Sequence, residues 1–103
     1  MLAPRPGVNF ELVPTLVLRA AGGDLYYAFD VATGDHFRLN ETSYWILETI
    51  GEGIAWEGLV RRFLDEFDVP AGPGIADLTE IIQEFHQQSI IREVPNEAQE
   101  AAV

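Results

Sequence analysis

A chain of 103 residues, 48% of them hydrophobic, is the size of one domain with a modest core. It has no cysteine, which excludes disulfides, thiolate metal sites and a cysteine nucleophile. All six basic residues are arginines, and the formal net charge of −11 disfavours phosphate backbones and anionic membranes while favouring cationic partners.

The N-terminus, MLAPRPGVNF, has no apolar run of signal-peptide length, and no stretch approaches a membrane span. A cytoplasmic protein is therefore expected, with one domain over residues 1–94 and a frayed, alanine-rich tail over 95–103. Residues 1–7 are proline-rich and expected to be irregular. Residues 8–19 are a candidate first strand; Pro14 interrupts it, which puts its core at 15–19. A turn at 20–24 leads into a second strand over 25–29 and a third over 35–39. Short connections predict an antiparallel meander.

The stretch YYAFDVATGDHFRLNETSYWIL, residues 26–47, organises the rest. Tyr26, Tyr27 and Phe29 suit a pleated surface. Asp30 to Gly34 is turn chemistry, with Gly34 free to take the positive φ that closes a short loop. His36-Phe37-Arg38-Leu39 alternates polar with apolar, the period of a half-buried strand. Asn40 has the place of a helix N-cap, and Leu39 and Tyr44 have the spacing of a hydrophobic staple.

Three helices follow. The first is predicted over 41–50 and stops at Gly51 or Gly53. The second, over 56–67, carries the stripe Leu59, Val60, Phe63, Leu64 and Phe67, with Ala55 a poor cap at its start. Residues 70–74, PAGPG, read as a loop that no helix crosses. The third helix is predicted over 75–88. Leu78, Ile82 and Phe85 face the core, and Asp77, Ile81, Glu84 and Gln88 form one edge of that face. Residues 90–94 are a candidate extended segment. The resulting fold class is α+β, winged-helix-like: a three-stranded antiparallel sheet followed by three helices, βββααα. Its edge strand presents backbone groups that must be blocked or used.

Catalytic chemistry is sparse. His36 and His86 have no second histidine nearby in sequence for a metal site. Ser43 and Ser89 lack an activating motif. Asp65, Glu66 and Asp68 do not match a calcium loop, and Gly72-Pro73-Gly74 lacks the lysine of a phosphate loop. No catalytic residue, metal or cofactor is expected. Arg61-Arg62 is the single basic pair, and neighbouring acids account for it.

The run FDVATGDHFRLNETSYWILETIGEG, a following Leu-Val-x-x-Phe-Leu helix and DLTEIIQEFHQQSIIRE together resemble the PqqD-like proteins, the recognition elements of ribosomally made and modified peptides. These include leader-binding proteins of lasso peptide biosynthesis. Thr33-Gly34, Phe37, Leu39-Asn40, Gly51 or Gly53, Asp77-Leu78 and Ile90-Ile91 carry the likeness, over about residues 16–93. Ala55 and Ser89 depart from it, at positions where the family commonly has a capping Ser or Thr and a helix-ending Gly.

The resemblance implies a non-catalytic adaptor. It would bind the leader segment of a precursor peptide as an added strand beside the third strand, against the third helix, and present it to a maturation enzyme such as a radical SAM protein, a leader protease or a cyclase. Carried over residue by residue, the site is Asp35, His36, Phe37, Arg38 and Leu39 on the strand, and Asp77, Ile81, Glu84 and Gln88 on the helix. The strand would supply backbone groups, Ile81 a pocket floor, and Asp77 and Glu84 partners for basic or hydroxyl groups. Three other readings stand beside this one. A winged-helix DNA-binding regulator has the same fold, but the third helix has no Lys or Arg. A small structural subunit of a biosynthetic enzyme is the second. A homodimer through the open edge is the third.

Overall fold

The computed structural model of the chain describes residues 8–95, so the expectations for residues 1–7 and for the tail beyond Pro95 lie outside the described residues. The fold is α+β, with antiparallel strands and three helices, as expected. Its order is β1 (Val8–Leu12), β2 (Leu16–Ala20), β3 (Tyr26–Asp30), β4 (His36–Leu39), α1 (Glu41–Gly51), β5 (Ile54–Ala55), α2 (Trp56–Phe67), α3 (Ala71–Gln87) and β6 (Ile91–Pro95).

The candidate first strand is two strands in two sheets. Residues 13–15 turn the chain at Pro14, which lacks an N–H for a ladder, and Leu16 N–H donates to the Val13 carbonyl at 3.0 Å. β1 lies at the centre of a sheet ordered β5-β1-β6, pairing Phe10 with Ile54 on one side and with Glu93 on the other. The segment expected at 90–94 is thus β6, a sheet strand beside the start of the chain. The expected meander is the other sheet, β2-β3-β4.

In that second sheet the register sorts the side chains. Leu18, Ala28 and Phe37 share one row, and Ala28 is fully buried. Tyr26 and Leu39 are paired on the same inward face, which packs on α1. Alternation turns Val17, Phe29 and His36 to the opposite face, where His36 stacks on Phe29 at 5.7 Å.

The core gathers Phe10, Ile46, Leu47, Ile50, Leu59, Leu78, Ile82 and Ile90, all 1% exposed or less. α3 buries its stripe of Leu78, Ile82 and Phe85, and α2 buries Leu59 and Phe63 of its own while Val60, Leu64 and Phe67 stay half-buried. α3 begins four residues earlier than expected, crossing Gly72, Pro73 and Gly74. Pro73 is the third helical residue, and the first four N–H groups of a helix have no partner within it, so its missing donor costs nothing there. Gly74 is buried, and a Cβ on it would come within 2.5 Å of Leu64 and 2.8 Å of Val69. Glycine is what lets α3 start against the end of α2. At its other end, Ser89 takes φ 63° and its N–H bonds the His86 carbonyl, while Ile90 N–H bonds that of Phe85. That is a Schellman closure built on a serine. No described helix is long and apolar enough to cross a membrane.

Candidate functional site

Among the described residues, β4 pairs with a strand on one side only, β3. The Asp30 side chain builds the turn before it, accepting from the Thr15 hydroxyl at 2.7 Å and from Ala32 N–H at 2.8 Å. Those hydrogen bonds, the Thr15 one first, hold the Asp30 carboxyl below its ordinary pKa. Gly34 takes φ 81°, its N–H bonds the Asp30 carbonyl, and the Asp35 carbonyl accepts from Asp30 N–H at 2.9 Å. After β4, the Asn40 side chain accepts from Ser43 N–H at 2.7 Å and starts α1. The strand is thereby fixed at both ends.

Antiparallel pairs alternate between hydrogen-bonded and non-bonded. The bond between Asp30 and Asp35 sets the phase, so Phe37 and Leu39 direct their backbone groups to β3. His36 and Arg38 therefore turn theirs to the free edge. The two are exposed, while Phe37 is half-buried and Leu39 is only 8% exposed, a core side chain rather than a contact surface. Asp35 precedes the strand and belongs to the turn.

A cavity of about 540 Å³ lies between the first turn of α1, the end of α2 and one face of α3. Phe63, Phe67, Val69 and Ile81 supply its apolar surface. Asp77, Glu80 and Glu84 line it from α3, and Thr42 from α1, three residues past the end of β4. Three of the four expected helix residues, Asp77, Ile81 and Glu84, thus share one cavity. Gln88 does not line it; it is the exposed C-cap of α3.

Glu80 was missed, although its spacing of three from Asp77 and four from Glu84 puts it on the same helical stripe. Phe63 and Phe67 belong to the apolar stripe of α2. Phe63 is buried and Phe67 half-buried, and their role as cavity wall comes from the packing of α2 beside α3, which no local pattern reports. Among the described residues no group of three His, Cys, Asp or Glu could hold a metal ion. The basic pair on α2 contributes an exposed ion pair, Arg62 with Glu52 at 3.1 Å.

Antiparallel sheets and three helices make this a small α+β domain of the winged-helix-like kind; none of residues 35–39 lines the apolar, acid-walled cavity, which Thr42 joins to the end of β4. The family model for coenzyme PQQ synthesis protein D (PqqD) matches residues 26–91, and the chain belongs to that family. Among solved structures, "Lasso peptide synthetase B1 complexed with the leader peptide" is similar, with a TM-score of 0.67 over 81% of this chain and 96% of that one. At 17% identity the likeness is one of fold. Comparison with curated proteins gives no match.

Proposed function

We propose that the chain is a non-catalytic adaptor that binds the leader segment of a ribosomally made precursor peptide and presents it to a modifying enzyme. The peptide adds as a strand to the free edge of β4, with alternate side chains entering the cavity against α3. The observation that carries this is the free edge itself: His36 and Arg38 offer backbone donors and acceptors there, and Thr42, three residues past the strand, lines the cavity of about 540 Å³. Membership of the PqqD family supports the reading, as does fold similarity to a synthetase described as complexed with a leader peptide.

In this arrangement main-chain bonds give affinity and the cavity gives selectivity. Ile81 and Phe67 receive an apolar side chain, and Asp77, Glu80 and Glu84 favour basic or hydroxyl neighbours. A DNA-binding role fits poorly, because the α3 face carries these three acids and α3 has neither Lys nor Arg.

The test is a titration with leader peptides of precursors encoded beside this protein, followed by amide shifts. Binding should perturb His36, Arg38 and the 77–84 stretch of α3. Binding that leaves those amides unmoved would overturn the site.

A further inference from the structure

A second, smaller cavity, of about 260 Å³, opens on the other side of Phe67. Its walls are aromatic. Tyr26 stacks on Tyr44 at 4.6 Å, and Trp45 meets Phe67 edge-on at 5.2 Å. The remaining lining residues are Glu41, Glu48 and Glu66, so every charged group that the described residues bring to its surface is acidic. None of the three forms an ion pair with a described residue.

The elements explain the convergence. Glu41, Tyr44, Trp45 and Glu48 follow one stripe of α1. Glu66 and Phe67 end α2, whose last turn contains no basic residue to balance the negative end of the helix dipole. Arg19 acts on the Tyr44 phenol but does not line the cavity; burial, then the Glu48 carboxylate, outweigh it and hold the phenol above its ordinary pKa.

Two features name the occupant. The volume is below the roughly 300–1,000 Å³ of small-molecule sites, which suits one side chain. Ring faces joined to carboxylates suit a cation, since the rings attract it and the acids pair with it. The small cavity also continues the large one. Phe67 lines both, and the sequence neighbours Glu41 and Thr42 line one each. The aromatic wall runs without a break from Phe63 through Phe67 to Trp45, at 5.1 and 5.2 Å between ring centroids.

We propose that this smaller cavity receives an arginine or lysine side chain of the same peptide that pairs with β4, which makes the site bipartite: an apolar anchor beside Ile81 and a cation beside Trp45. The proposal rests on the peptide-binding reading above. Glu48 and Glu66 are exposed in the free protein, so E48Q/E66Q changes the charge and leaves the core alone.

The experiment selects binders from a random-peptide display library on the full-length wild type and on E48Q/E66Q. Wild type should enrich Arg or Lys at one fixed distance from an apolar anchor; the variant should keep the anchor and lose the basic preference. Replacing that basic residue by Gln in a selected peptide should weaken binding to wild type about tenfold, and to the variant by less than about twofold. In the wild-type complex the indole N–H signal of Trp45 should shift. That of Trp56, which packs on Phe10 away from the cavity, should not. Equal profiles on both proteins would overturn the cationic subsite and leave the β4 reading standing. Failure of both proteins to enrich any peptide would overturn the β4 reading and this inference with it.

Discussion

Asn40 shows how much one side chain sets. Its 2.7 Å bond to Ser43 N–H starts α1 directly after β4, so the same residue ends the candidate peptide-binding edge and begins the helix beneath it. Asn40→Ala should cost about 1 kcal/mol of stability in urea denaturation. Ser89 works the other way. It occupies the left-handed region at φ 63°, where a Cβ is a burden, so Ser89→Gly should raise stability by about 0.5–1 kcal/mol, read as a higher urea midpoint at unchanged m. Gly74→Ala should lose about 1–3 kcal/mol, because its Cβ would enter space held by Leu64 and Val69. Asp30 carries the pH dependence of the turn. Its folded pKa is depressed, so its contribution is present above the unfolded value and is lost as pH falls through the folded one, below about pH 4. Thr15→Val removes the leading cause, and the Asp30 carboxyl should then titrate at higher pH, as followed by carbonyl carbon shifts.

At the scale of the element, the two faces of β4's backbone make different predictions from neighbouring residues. Arg38 directs its N–H outward, so Arg38→Pro leaves the β3 ladder intact and removes a donor only from the free edge. That variant should keep its fold by circular dichroism and lose leader binding by at least about tenfold. Phe37→Pro breaks a bond to β3 and empties a half-buried position, and it should destabilise the whole domain. The contrast separates a backbone contact from a side-chain contact, which a substitution by alanine would not. On α3, Ile81→Ala should weaken peptide binding by about 1–2 kcal/mol, because the residue is half-buried on the cavity surface rather than in the centre of the core.

For the whole molecule, charge and sheet closure matter most. With a net charge of −11 and acids lining both cavities, association with a basic peptide should slow as salt rises from about 0.05 to about 0.5 M, with a smaller change in dissociation. Stopped-flow measurement separates the two rates. The β5-β1-β6 sheet joins the ends of the described chain: β1 pairs with β6, and Glu11 meets Arg92 across the strands as an exposed ion pair. That pairing anchors the chain just past the C-terminal end of α3, the helix that carries Asp77, Glu80 and Glu84.

What was legible in the sequence was local. The turn between β3 and β4, the Asn40 cap and the stripes of α1 and α2 rest on contacts between residues a few positions apart, and their residue types state the geometry directly. The order of those pieces also carried the family. Pro14 was read correctly as an interruption, but only pairing in space decides that its two sides join different sheets, with Phe10 opposite Glu93. The early start of α3 was hidden because Pro73 and Gly74 look like breakers; the first carries no cost at the third helical position, and the second fits a close approach to Leu64 that exists only in the folded chain. The stripe on α3 announced Asp77, Ile81 and Glu84. Phe63, Phe67 and Val69 became cavity walls through the packing of α2 beside α3, a relation between helices that no single segment contains.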